Sequence, residues 1–214
     1  MSYKQGADMD LKLYYTGGMP VNTYLCVDEK LKKGFIIDPG GVSKPMENYI
    51  LSNDYDIEYI ILTHGHGDHI SAVPHYQSLY KNSKTVGHHG DDFLFGDANE
   101  NLSRQFIGRA VEFTPDVYVD EGDTLMVGGM ELKIIWTPGH TPGGISILVG
   151  NVVFCGDTLF QGSIGRTDFR GGSYKQLIDS VKTKLFTLPD NTYVLPGHMG
   201  QTTIGHKKQY NPFF

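Results

Sequence analysis

The sequence is poor in cysteine, in positive charge and in long apolar runs, and each shortage narrows what the chain can do. Two cysteines in 214 residues cannot build the disulfide framework of a small secreted protein. Cys26 and Cys155 both sit inside apolar runs, where a small buried thiol is the plain expectation. Lysines and arginines number 18 against 24 aspartates and glutamates, for a formal net charge of −6. A nucleic-acid binder needs a basic stripe to displace phosphate counterions, and this balance offers none. No apolar run approaches the roughly 20 residues of a membrane-spanning helix. The opening Met1-Ser2-Tyr3-Lys4-Gln5-Gly6 leads into no apolar signal core. A cytoplasmic, reducing setting is therefore expected, with no nucleic-acid or membrane partner. Oligomeric state is left open.

What is present suggests one domain over residues 1–214, long enough to bury a substantial core. Strand-like runs fill the first third: Leu11–Tyr15, Asn22–Val27 and Gly34–Asp38, then Ile57–Leu62. Ser43 is placed to cap a helix running to about Leu51, with Pro45 in its first turn. Helices are also expected from Ser71 to Tyr80 and, after a polar surface excursion that follows His88, from Asn99 to Ile107. Further strands follow at Thr85–His88, Leu132–Trp136, Ile145–Val149, Asn151–Cys155 and Thr192–Leu195. Tyr174, Leu177, Ile178, Val181 and Leu185 share one face of a helix over 173–185. Two sheets with helices outside satisfy this mixture.

One pattern recurs along the chain. An apolar strand ends, and a short Gly- or Pro-rich loop opens carrying His or Asp, at Asp38, His64, His140, Asp157 and His198. The densest case is Thr63-His64-Gly65-His66-Gly67-Asp68-His69, with three imidazoles and a carboxylate in six consecutive residues. Protonated histidines so close would repel one another, whereas neutral imidazole and carboxylate are ligands of zinc, iron and manganese. Gly65 and Gly67 are expected to let the backbone fold tightly around a metal. His64, His66, Asp68, His69, His140, Asp157 and His198 make seven candidate ligands, more than one ion takes, so two divalent ions are expected. Zinc is the first expectation, with iron or manganese as alternatives. No cysteine is among the candidates, which argues against a closed structural zinc site.

The arrangement closely resembles the metallo-β-lactamase superfamily over nearly the whole chain. Its signature can be followed through Asp38 in an apolar-Asp-Pro-Gly turn, His64, His66, Asp68 and His69 in the H-x-H-x-D-H loop, then His140, Asp157 and His198. The resemblance implies an α+β fold, a four-layer αβ/βα sandwich with the site at one edge. It implies that His64, His66 and His140 bind one metal, that Asp68, His69 and His198 bind the other, and that Asp157 bridges. Asp68 and Asp157 are then the catalytic carboxylates, and the nucleophile is a hydroxide held between the ions. Asp38 is expected to orient a ligand histidine, or else only to form its turn.

Within the superfamily, residues 156–168 look like the glyoxalase II branch, the hydroxyacylglutathione hydrolases that cleave thioesters such as S-lactoylglutathione. β-Lactamases of this fold usually carry Cys or Ser where Asp157 stands, which argues against antibiotic hydrolysis. The tail 202–213 resembles the short bacterial members of the branch. The chain stops about sixteen residues past His198, so the C-terminal helical domain that contacts glutathione in that branch is expected to be absent. Lys207 and Lys208 are a solvated pair or a substitute carboxylate contact. Arg166 binds substrate or forms a buried pair with Asp168. His75, His88, His89 and His206 match no family position and are expected to pack or lie at the surface.

The main alternative is a persulfide dioxygenase on the same fold. There a single iron is held by residues matching His64, His140 and Asp157, and the Gly165–Phe169 stretch is similar. An RNA-processing hydrolase is disfavoured by the acidic balance, and a non-catalytic zinc module by the completeness of the ligand set.

Overall fold

The structure, a computed structural model, describes residues 9–214. The Met1–Gly6 segment lies outside them. Six strands form the first sheet in chain order: β1 (Met9–Thr16), β2 (Val21–Asp28), β3 (Lys33–Ile37), β4 (Asp56–Ile61), β5 (Lys84–Gly87) and β6 (Val117–Tyr118). β1, β2 and β3 pair antiparallel, and β3 to β6 pair parallel. The remaining strands are β7 (Thr124–Val127), β8 (Met130–Trp136), β9 (Ile145–Val149), β10 (Val152–Gly156), β11 (Leu159–Phe160), β12 (Ser163–Ile164), β13 (Tyr193–Pro196) and β14 (Thr202–Thr203). The second sheet runs β14-β13-β10-β9-β8-β7, and β11 and β12 make a small separate hairpin.

Alternation along the strands builds the layers. Tyr24, Cys26, Phe35, Ile37 and Ile61 face the second sheet, where Leu132, Ile134, Ile147 and Phe154 meet them. Their neighbours Leu25, Val27, Ile36 and Ile60 turn outward under α1 (Lys44–Ser52) and α3 (Val73–Leu79), which contribute Met46, Ile50, Val73 and Tyr76. On the other side Val153, Cys155 and Val194 pack under α6 (Tyr174–Thr183) and α7 (Ile204–Tyr210). Both sheets are thus covered on both faces, giving the expected αβ/βα sandwich. Truncating a central ring such as Phe154 to alanine would cost about 3–5 kcal/mol.

Several boundaries differ from expectation. Ser71 does not open α3: its hydroxyl donates to Gly40 O at 2.5 Å, and a separate turn, α2 (Gly67–Ile70), precedes it. The 99–107 helix shrinks to α5 (Ser103–Phe106) because Leu102 takes a left-handed conformation, φ 65°. A short α4 (Asp92–Phe95) occupies the polar excursion. α6 stops at Thr183, and Leu185 buries from the 3₁₀ turn that follows. Both cysteines are free and buried.

β3, β4, β10 and β13 end at one edge, and the sheets are stitched together there. Ile145 N–H donates to Thr63 O and Asn22 N–H to Gly197 O, both at 2.8 Å. The Tyr24 hydroxyl donates to Pro196 O, also at 2.8 Å.

Candidate metal centre

All seven candidate ligands meet at this edge. His64 follows β4, and His66, Asp68 and His69 lie at the start of or within α2. His140 comes from the loop between β8 and β9, Asp157 follows β10, and His198 follows β13. His64, His66 and His140 bring one nitrogen each within 4.8 Å of one another, as do the ligand atoms of Asp68, His69 and His198. Asp157 stands between the two sets. Its Oδ1 is 3.4 Å from His69 Nε2, and its Oδ2 is 3.7 Å from both His140 Nε2 and His198 Nε2. The two loop glycines serve packing rather than the centre itself. A Cβ on Gly65 would lie 2.6 Å from Leu94, and one on Gly67 would lie 2.7 Å from the Ser103 backbone.

Fixed acceptors decide which nitrogen each ring turns inward. A carbonyl oxygen can only accept, so His140 Nδ1–H donates to Arg166 O (2.7 Å) and His198 Nδ1–H to Pro20 O (2.9 Å). Asp38 accepts from His69 Nδ1–H at 2.9 Å, from the Thr63 hydroxyl at 2.6 Å and from Thr63 N–H at 2.8 Å. The Thr63 proton being used, its oxygen accepts from His64 Nδ1–H at 3.1 Å. These four histidines therefore turn Nε2 into the site. Asp38 is placed as expected for a residue that orients a ligand histidine.

The inward atoms face one another across the site. His66 Nδ1 is 2.9 Å from His140 Nε2, and His69 Nε2 is 3.3 Å from His198 Nε2. His64 Nε2 and Asp157 Oδ1 are buried with no hydrogen bond at all. Orphaned buried acceptors are costly, and a cation between them removes that cost. Burial, with the neighbouring histidines, lowers the pKa of His64 and takes that of His66 down to about 3. Burial also lowers that of His140 despite Asp157. These three are neutral near pH 7, the form that ligates. In the other set burial opposes the shifts, but Asp157, Asp68 and Asp38 together push His69 up to about 10. His198 rises likewise beside Asp68. Against its own burial, Asp68 is held well below the usual carboxylate range by His69 and His198. The donor chemistry and the orphaned atoms fit divalent metal.

Sequence reasoning missed Asp91. It is wholly buried and accepts from Gly65 N–H (2.8 Å), the Thr141 hydroxyl (2.8 Å) and Gly143 N–H (2.6 Å). One carboxylate thus ties the His64–His66 loop to the His140 loop. Burial pushes its pKa up to about 6, with those hydrogen bonds working the other way. Nothing local separates it from Asp92, since its partners lie 26 to 52 residues away. Arg166 does reach the cleft beside the centre, but its pair with Asp168 (2.8 and 2.7 Å) is exposed rather than buried. Lys208 pairs with Asp190 at 2.6 Å, whereas Lys207 is buried rather than solvated. His75 bonds Glu47, His88 stacks on Trp136, His89 stacks on Tyr118 and His206 packs on Tyr210, all apart from the ligand sets.

Comparison with known proteins agrees with this geometry. The sequence profile of the metallo-β-lactamase superfamily matches residues 16–198, and the chain belongs to that superfamily. Its site is accordingly a metal-binding one of the metallo-hydrolase type. Among its relatives is hydroxyacylglutathione hydrolase GloC of Haemophilus influenzae, 36% identical over 208 residues, covering 96% of this chain and 98% of that protein. Among solved structures, BLEG-1 B3 metallo-β-lactamase superposes with TM-score 0.88 at 33% identity, over 95% of this chain and 99% of that one. ETHE1 from Myxococcus xanthus gives 0.76 at 31%, over 95% and 83%. TTHA1623 in a di-iron-bound form gives 0.81 at 30%, over 95% and 100%. No helix among the described residues is long and apolar enough to cross a membrane.

Proposed function

We propose that the protein is a binuclear metal-dependent hydrolase of thioesters, of the hydroxyacylglutathione hydrolase type, acting in the cytoplasm on a small molecule. The observation that carries the binuclear reading is the placement of Asp157 between two complete ligand sets, with Oδ1 buried and without a hydrogen bond. His64, His66 and His140 would hold one ion, Asp68, His69 and His198 the other, with Asp157 shared and zinc the first choice. Bound there, divalent ions supply Lewis acidity, bringing the pKa of water toward neutrality and drawing charge from a carbonyl oxygen. The chain's own residues do the aiming. Asp38, Arg166 O and Pro20 O each take the outer N–H of a histidine and fix the inner nitrogen. Phe169 and Phe160 lie edge-on to His66 and His198 and flank the centre with apolar surface. A thiolate leaves readily, so no further acid is needed on the leaving side. The full-length likeness to GloC supports the thioester.

The likeness to ETHE1 favours a second reading, a mononuclear iron dioxygenase using His64, His140 and Asp157. Elemental analysis separates the two when combined with S-lactoylglutathione hydrolysis under anaerobic conditions. Two metals per chain with oxygen-independent turnover support the hydrolase. One iron with oxygen uptake on a persulfide, and no thioester cleavage, overturns it. A β-lactam in the same assay tests the likeness to BLEG-1, and its exclusive hydrolysis would equally overturn the thioester reading.

A further inference from the structure

Which thioester enters is a question for the walls of the cleft. Met19, Leu102, Phe106, Phe160, Phe169 and Met199 line a 490 Å³ cleft over both ligand sets. Apolar surface reaches each set directly, with the Phe169 ring 5.2 Å from His66 and the Phe160 ring 6.3 Å from His198. Met19, Phe106 and Met199 keep 40%, 42% and 57% of their surface exposed, although water is a poor neighbour for them. Charge is scarce by comparison. Among the described residues lining the cleft, Arg166 is the one arginine or lysine. It is engaged twice by Asp168 and laid over Phe169 at 4.0 Å.

Two of the apolar walls sit on strained backbone. Leu102 has φ 65° and Met199 has φ 67°, a region that ordinarily takes glycine or asparagine. Each is clamped by a buried asparagine. Asn101 donates to Leu94 O and Val111 O and accepts from Ser103 N–H, at 2.8, 2.8 and 2.9 Å. Asn22 donates to Pro196 O and to Met199 O, each at 2.9 Å. Glycine would make either turn without strain. Leucine and methionine instead present a large apolar side chain at the cleft, and strain held by the surroundings at such a place points to use.

We propose that the cleft takes a thioester with an apolar arm, and that Leu102 and Met199 are specificity-determining walls. This rests on the thioester reading above. A glutathione arm brings two carboxylates and an ammonium, which would be desolvated against methionine and phenylalanine with the single lining guanidinium already paired. An alkyl or aryl arm loses nothing there and buries apolar surface.

The test uses the metal-reconstituted full chain and three esters: S-lactoylglutathione, the lactoyl ester of benzyl thiol, and the hexanoyl ester of N-acetylcysteamine. One of the two apolar esters is expected to exceed S-lactoylglutathione roughly tenfold or more in kcat/KM, through KM. Which one does so tells whether the apolar arm is on the thiol or the acyl side. Leu102→Gly and Met199→Gly are expected to raise KM for the favoured ester about threefold or more without lowering Tm, since glycine relieves the strain. S-lactoylglutathione proving the best of the three overturns the proposal, and an unchanged KM in both variants overturns the role of these walls. Calorimetric binding of benzyl methyl sulfide against S-methylglutathione gives a readout independent of turnover. Tighter binding of the glutathione thioether counts against the cleft assignment. If no ester is cleaved while the neutral thioether still binds tighter, and Leu102→Gly weakens it, the cleft assignment stands and the thioester reading falls.

Discussion

The two ligand sets share one floor but are held in opposite electrostatic states. His64, His66 and His140 form an all-imidazole set whose members are buried and kept neutral by that burial. Asp68, His69 and His198 form a mixed set in which Asp68 and Asp157 raise both histidine pKa values, joined at His69 by Asp38. The supports differ too. The first set hangs on Asp91, which joins its two loops from behind. The second is braced by Asp38, just past β3, which accepts from His69 Nδ1–H and is linked through Thr63 to His64 of the first set. A neutral pocket offers lone pairs with little field, whereas an anionic one calls for positive charge whether proton or metal. The two halves should therefore differ in how they bind metal and in how they respond to pH.

The largest effect belongs to the residue the halves share. Asp157→Ala should lower kcat by more than about 100-fold, since even the outer partners of metal ligands matter by 10- to 100-fold. Its melting temperature should stay near that of the parent protein. Near-parental turnover by the metal-reconstituted variant would dissolve the comparison altogether. Asp91→Asn should act on one half. It replaces an acceptor of three hydrogen bonds with a group that must turn an amide toward one of the donors. Metal titration against a competing chelator should show one site weakened by about 10- to 100-fold and the other moved far less. Equal weakening of both sites would mean that Asp91 supports the whole edge.

The pH response of the metal-free protein should separate the halves by sign. His66 has its folded pKa at about 3, below its ordinary 6.5. The unfolded chain therefore takes up the proton first, and stability falls as pH drops from about 6.5 toward 3. His69 is raised to about 10. Its contribution is complete below about 6.5 and is lost as pH rises through about 10. Urea melts in chelator across this range should show His66→Ala flattening the acid limb and His69→Ala the alkaline one. The smallest effect is expected from Arg166→Ala. The side chain makes only a solvent-screened exposed pair with Asp168, while the support of His140 comes from the backbone carbonyl. Metal affinity should change less than about threefold, and a larger change would give the guanidinium a part in the first set.

The seven inward residues were legible because each sits on a strand-end loop and carries chemistry that is conspicuous in one dimension. The sandwich was legible for a related reason: unbroken apolar runs such as those of β3 and β10 mark strands buried on both faces. Asp91 was not legible, because its function lies in donors far along the chain. Leu102 was hidden for a similar reason. A leucine at the start of a polar helical stretch reads as part of the helix, and its left-handed turn shows only in the fold, where Asn101 Oδ1 accepts from Ser103 N–H across it. The two-residue strands β11, β12 and β14 carry too short a pattern to announce themselves. Lys207 reads as solvated beside Lys208 until α7 packs it inward.

Gly197 and Gly165 set a boundary on how this chain can diversify. A Cβ at Gly197 would lie 2.4 Å from Asp157 Oδ1, and one at Gly165 would lie 1.7 Å from Asp157 O. In a library spanning the catalytic edge these two positions should return only the parental residue, however permissive the selection. Met19 and Phe106, exposed at the rim on loop and helix, should instead absorb wide variation. New substrate preferences in this lineage would then arise by recutting the rim above a floor that stays fixed.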